Sequence, residues 1–359
     1  MPIVAYLVIA VVLAAVGALD LGVGRPSLAP AYGLISMLAG WFGGLGAAVI
    51  TVALSTGMHF VVDFHDQRIL TYLDFVNQVL RTLLWMATGL LAVYGRRLLE
   101  RSREQRGEIL KAQEIITADL ALARRVQSAL MNRSLPPDER IEVWVYSEMA
   151  RVLGGDFHEL SLEDGHLKIC VADVSGKGTA ASLVTAMLRA ILGEVRDREG
   201  SVADQMLLLN SKLCPLVTST MFVTCFYADW DISAGSLSYV NAGHDPAILR
   251  RSDGRIEELG PTGSVLGVFP EDQFPLTVVP FASNDLLVVF TDGLTTRRTG
   301  PQERLGDERV REEIAGHGDD PCEQIGNCLL SLAPTPPGGN SEDDIVLVVL
   351  RAHAPSPEK

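Results

Sequence analysis

Long apolar blocks open the chain, and short alternating ones fill the rest. Ile3 to Leu19 carries no charge and ends at Asp20. Between Arg25 and Asp63 there is no Lys, Arg, Asp or Glu. That stretch suffices for two crossings of a bilayer, since about 20 apolar residues span one. Gly43-Gly44 in its middle predicts a tight hairpin between helices at 28–42 and 45–62. The last block, Phe75 to Tyr94, contains Arg81, which is read as lying near an interface, with an ion-pair or ligand role inside the bundle as the alternative. Blocks this long, this closely spaced and this rich in Gly and Ala predict an all-α transmembrane bundle over residues 1–95 rather than soluble core helices. No basic leader segment marks a cleaved signal peptide.

Arg96, Arg97, Arg101, Arg103 and Arg106 follow the last block at once. Basic residues stay on the cytoplasmic side of a membrane, so the chain beyond them is expected there. Four crossings would place the N-terminus on the same side; three remain open. Residues 96–131 lack Gly and Pro apart from Gly107 and predict a helix. Ile109, Ile116, Ala123, Val126 and Leu130 recur at spacings of seven, seven, three and four. That pattern fits a parallel coiled coil between two protomers, and equally one amphipathic helix packed on its own domain. Pro136-Pro137 ends it, giving a linker over 96–135.

From Ile141 onward the pattern shortens. Leu167 to Ala172 predicts a strand and Thr179 to Val195 a helix. Phe222 to Trp230 and Ser236 to Asn241 predict one hairpin, and Ala247 to Arg251 and Arg255 to Leu259 another. Leu286 to Phe290 and Ile345 to Leu350 are unbroken apolar runs, as in strands covered on both faces. Strands outnumber helices and hairpin connections dominate, so the fold class is α+β, with antiparallel sheets and helices outside them. A domain over 136–352 and a disordered tail over 353–359 complete the division.

Charge sharpens this picture. Residues 1–112 hold 9 Lys and Arg against 7 Asp and Glu, whereas the rest holds 21 against 37. An acidic C-terminal part argues against nucleic acid as a partner, because phosphate contacts need Lys and Arg. The five cysteines, Cys170, Cys214, Cys225, Cys322 and Cys328, form no CxxC pair and read as reduced thiols in a cytosolic domain. No His/Cys set has zinc-motif spacing.

Aspartates sit at the ends of the apolar strands. Asp156 follows Gly154-Gly155; Asp173 follows Leu167–Ala172; Asp292 follows the 286–290 run and precedes Gly293; Asp343 and Asp344 precede the last strand. A single Asp-Gly is usually only a turn. Four such positions together suggest a carboxylate cluster, costly without cations and of the oxygen-donor type that Mg²⁺ or Mn²⁺ takes.

These segments, in this order, resemble the SpoIIE/RsbU-type phosphatases of the metal-dependent protein phosphatase 2C superfamily. The resemblance rests on Gly-Gly-Asp-Phe at 154–157, Ala-Asp-Val-Ser-Gly-Lys-Gly at 172–178, Phe222-Val223-Thr224, Asn241-Ala242-Gly243-His244, Thr291-Asp292-Gly293 and Asp343-Asp344-Ile345. Leu122 to Leu130 is similar to the helix preceding such domains, and the likeness covers roughly 120–351. It implies a two-sheet antiparallel β-sandwich flanked by helices, with two divalent ions, Mn²⁺ or Mg²⁺, between the sheets. By motif, Asp173 would bridge both ions, aided by the Val174 carbonyl and Asp156 at one and by Asp292 and Asp343 at the other. Asp173 and Asp292 would thereby be the catalytic carboxylates. Asp344 would take a supporting place, although the choice between Asp343 and Asp344 stays open.

Gly176 and Gly178 would give tight passage beside the ions, Gly293 a supporting place, Lys177 a substrate contact, and His244 a structural turn or a general acid. His158 and Glu159 stand where the family commonly has other residues. The resemblance further implies a phosphorylated protein substrate of the anti-anti-sigma (STAS) type and partner-switching signalling; with the apolar blocks and the arginines that follow them, the expected location is a bacterial inner membrane with the phosphatase cytoplasmic. A pseudophosphatase that binds phosphoproteins without turnover is the alternative. Gly154 to Phe157 also matches the start of a GGDEF motif, but the Glu is missing and the later motifs have no place in it.

Overall fold

The computed structural model describes residues 11–16, 18–19, 29–65, 72–131, 135–300, 303–334 and 341–354. Most of the first apolar block and residues 355–359 of the predicted tail lie outside them. The chain divides into two compact units, residues 1–115 and 116–359, each described on its own.

In the first unit, helix α1 (Ala29–His65) breaks at Gly44, whose φ of 75° suits glycine. This is the predicted hairpin position. Both halves pack on α2 (Tyr72–Met131): Tyr32 meets Trp85 with ring centroids 5.4 Å apart, and the Thr56 and Thr82 hydroxyls are 3.2 Å apart. Arg96 donates to the carbonyls of Trp41 and Phe42, at the end of the first half of α1, where carbonyls lack helical partners. Among the described residues, two helical segments, Pro30–Met58 and Phe75–Leu130, are long and apolar enough to cross a membrane. The sequence separates an apolar block from a charged linker at Arg96, but α2 runs through that point without interruption. Composition changes there while helix propensity does not.

The second unit is a sandwich. One sheet has the order β1 (Ile141–Glu148), β10 (Ile345–Ala352), β9 (Leu286–Phe290), β6 (Ala247–Arg250), β7 (Ile256–Leu259). The other has β2 (Phe157–Glu163), β3 (His166–Val174), β4 (Val223–Asp231), β5 (Ser236–Ala242), β8 (Thr277–Pro280). Every strand pair is antiparallel. Side chains alternate across each sheet, so Ile169, Val171 and Phe226 meet Leu287, Val289 and Val348 between the sheets.

The opposite faces are covered by helices. Leu188 and Leu192 of α3 (Thr179–Arg196) and Met206 and Leu209 of α4 (Val202–Leu213) lie on the β2–β8 sheet. After the single turn α5 (Asp292–Thr295), Val310 and Ile314 of α6 (Asp307–Gly316) and Ile325 and Leu329 of α7 (Cys322–Ser331) lie on Val288 and Val349 of the other sheet. Full coverage on both faces explains why β9 and β10 are apolar at nearly every position. Burial of each such aliphatic side chain contributes about 1.5–3 kcal/mol.

Candidate active site

Antiparallel pairing brings the aspartates to one end of the sandwich. Asp156 directly precedes β2, and Asp173 lies beside the end of the adjacent β3. Asp292 begins just after β9, and Asp343 and Asp344 precede the adjacent β10. Each sheet thus supplies carboxylates to the same edge.

Cross-sheet hydrogen bonds lock that edge. The Thr291 hydroxyl donates to Asp156 Oδ2 at 2.6 Å and accepts from the Val346 N–H at 2.8 Å. Asp344 accepts from the Ala150 N–H at 2.7 Å and from the Gly155 N–H at 2.6 Å, which occupies both of its oxygens. Asp343 accepts from the Asp344 N–H at 3.1 Å, and its other oxygen is 2.7 Å from Lys177 Nζ in a half-exposed ion pair. A side chain at Gly293 would put its Cβ 1.8 Å from the Asp344 carbonyl, so only glycine lets the Asp292 turn pass there. Gly176, at φ 98°, turns the chain after β3, and Val174 carries its carbonyl beside Gly155.

The electrostatics are unbalanced. Burial pushes the Asp156 carboxyl well above its usual range, and the nearby charges of Asp173 and Asp344 push it further. Burial raises Asp173 to about 6; its hydrogen bond with Asp156 opposes the shift, while Asp292, Asp343 and Asp344 reinforce it. Burial and then Asp343 raise Asp292, partly opposed by Lys177 and Arg304. Asp245, half-buried after His244, is also raised to about 6, by burial and then by Asp292 and Asp307.

His244 differs in kind. Burial holds its imidazole down to about 4, partly opposed by the Phe290 carbonyl, so the ring is neutral at pH 7. Its Nδ1 is 2.9 Å from the Thr224 hydroxyl, and the His244 backbone N–H donates to Asn241 Oδ1, which fixes the turn after β5.

The donor set fits hard divalent cations. It consists of carboxylates and a carbonyl, with more negative charge than Lys177 and Arg304 offset. Among the described residues, no three of these aspartates bring oxygens within 4.8 Å of one another, a spread wider than a single-ion cluster. Asp344 differs from its neighbours because its oxygens already hold backbone N–H groups.

Three contributors escaped sequence reading. Thr291 lay inside a recognised motif, yet nothing in the pattern marked its hydroxyl as a brace. Gln127 on α2 donates to the Gly154 carbonyl at 2.8 Å and accepts from the Gly154 N–H at 3.3 Å. Asp245 adjoins the Asn-Ala-Gly-His segment, the one available signal.

A family model described as Stage II sporulation protein E (SpoIIE) matches residues 163–353. Phosphoserine phosphatase RsbU of Bacillus subtilis is 27% identical over 243 residues, covering 67% of this chain and 71% of RsbU. Protein IcfG of Synechocystis sp. is 26% identical over 260 residues, and the chain spans only 41% of its length. The SiaA-PP2C domain of Pseudomonas aeruginosa superposes with a TM-score of 0.57 at 21% identity, over 67% of this chain and 98% of that domain. The sandwich described above is the PP2C fold.

Proposed function

This chain belongs to the SpoIIE family, and from that premise we propose that its C-terminal unit is a metal-dependent phosphatase hydrolysing phosphoserine or phosphothreonine on a protein. The observation that carries the reading is the convergence of Asp156, Asp173, Asp292 and Asp343 from both sheets on one edge, with mutual repulsion that cations would relieve. Asp173 and Asp156 with the Val174 carbonyl, together with Asp292 and Asp343, would hold two such ions, Mn²⁺ or Mg²⁺. Such a pair of ions, when bound, supplies activation of water at neutral pH and neutralisation of phosphoryl charge.

The chain's own residues set the stage for that chemistry. Thr291 orients Asp156, Asp344 fixes the Gly154-Gly155 loop, and Gly293 admits the turn that presents Asp292. Lys177 pairs with Asp343, and with that carboxylate taken up by an ion its ammonium would be free to meet a phosphoryl oxygen. His244, neutral and buried, acts as a prop of its turn rather than as a general acid.

The reading extends to a membrane-anchored regulator of the inner membrane, with the phosphatase in the cytoplasm. Its substrate would be an anti-anti-sigma (STAS) factor within partner switching. Support comes from the two long apolar helical segments and from the relatedness to RsbU. Dimerisation through the linker is supported by the exposure of Leu122, Val126 and Leu130 along α2, an apolar stripe left uncovered while Gln127 faces the protomer's own loop. The activity is tested by incubating the full chain in detergent with a serine-phosphorylated STAS protein. The expected result is phosphate release that requires Mn²⁺ or Mg²⁺; a chain that binds the phosphoprotein without turnover would replace the reading by a binding module.

A further inference from the structure

We propose that Glu313, His317 and Cys328 form a second metal site, on the helices behind the β1–β7 sheet, that takes zinc or a similarly soft divalent ion. One ligand atom from each residue lies within 4.8 Å of the other two. Glu313 stands in the last turn of α6 and His317 caps that helix four residues later, so both fall on one helical face. Cys328 comes from α7. The cluster's spacing of 4 and 11 residues follows no zinc motif and only the packing of α6 on α7 creates it.

The surroundings of His317 support a ligand role. Its Nδ1 is 2.8 Å from Asp320 Oδ2, and its Nε2 is 3.2 Å from Glu313 Oε1. A neutral ring can donate to only one of these carboxylates. If Nδ1–H serves Asp320, the Nε2 lone pair faces Glu313 Oε1, and a cation there turns that repulsion into coordination. A carboxylate on the far nitrogen is the usual partner that orients a metal-bound histidine.

The remaining ligand decides the class of ion. A thiol, an imidazole and a carboxylate suit Zn²⁺ or Co²⁺, whereas Mn²⁺ and Mg²⁺ prefer the all-oxygen set at the aspartates. Cys328 is half-buried and lines an open surface depression with Gln324, Asn327 and Ser331, so its side chain is reachable from solvent. Binding takes Cys328 as the thiolate, its proton passing to solvent. Three protein ligands leave one position for water. The ion would tie α6 to α7 and thereby brace the sheet that presents Asp292 and Asp343.

The experiment uses the full chain, stripped with chelator, and Co²⁺ as the probe. The expected result is a thiolate-to-cobalt charge-transfer band that saturates at one equivalent per chain and is displaced by Zn²⁺. Cys328→Ser and His317→Gln should each abolish the band, and Asp320→Asn should weaken affinity by about 10–100-fold. Asp173→Ala should leave the band unchanged. Absence of the band in the parent chain would overturn the proposal, as would a band that survives both Cys328→Ser and His317→Gln.

Discussion

Glu159 and Asp156 lie three residues apart at the start of the same strand, yet their carboxylates occupy opposite electrostatic settings. Glu159 is nearly fully buried and is paired by the protein itself, with Arg189 at 2.7 Å and Arg196 at 2.9 Å, both from α3. Asp156 is buried among Asp173 and Asp344, with a threonine hydroxyl as its donor. One cluster is neutralised by side chains and the other is left in deficit. Buried charge is costly unless paired, so a fold that pairs Glu159 and leaves Asp156 and Asp173 without a cationic partner among the described residues reserves the second place for ions from solution.

The largest expected effect separates the two clusters by activity. Asp173→Asn should lower phosphate release by about 10³-fold or more, because the shared ligand of both proposed ions is lost. The same change should leave metal-free thermal stability equal or higher, since it removes one of several repelling carboxylates. Glu159→Ala should do the reverse. Arg189 and Arg196 would be left buried without their shared partner, costing about 3 kcal/mol in denaturant unfolding of the metal-free chain. A large stability loss in Asp173→Asn would erase the distinction.

Acid separates them next. Because burial holds His244 near 4, the unfolded chain takes up a proton near pH 6.5 that the folded chain refuses. Stability from this group therefore falls as pH drops from about 6.5 toward 4, by up to about 3 kcal/mol. Asp173, raised to about 6, works the other way: the folded chain takes its proton first and gains stability as pH falls toward its unfolded value. Unfolding curves across that window should flatten in His244→Gln and steepen in Asp173→Asn. The smallest effect belongs to Lys177→Ala. Its half-exposed ion pair with Asp343 should cost under about 1 kcal/mol, while Mn²⁺ affinity rises because a competing cation is gone.

The same contrast marks what could be read from sequence. Leu286–Phe290 and Ile345–Leu350 announced themselves because strands covered on both faces must be apolar throughout. The aspartates were legible because a charged residue at the end of such a strand breaks the pattern. By contrast, α6 buries only Val310 and Ile314, too few apolar positions to stand out from loop. β1 is half-buried along nearly all its length and shows no clean alternation. Hydrogen bonds such as Thr291 to Asp156 and Gln127 to Gly154 join residues 135 and 27 positions apart, and the Glu313–His317–Cys328 cluster depends on helix packing. Those relations exist only once the chain has folded.

The most direct test of the charge deficit is a calorimetric titration of the chelator-stripped full chain with Mn²⁺. The account predicts two ions bound per chain, with proton release from the raised carboxylates, and loss of both binding events in Asp173→Asn. Binding that persists unchanged in Asp173→Asn, or no binding by the parent chain, would contradict it.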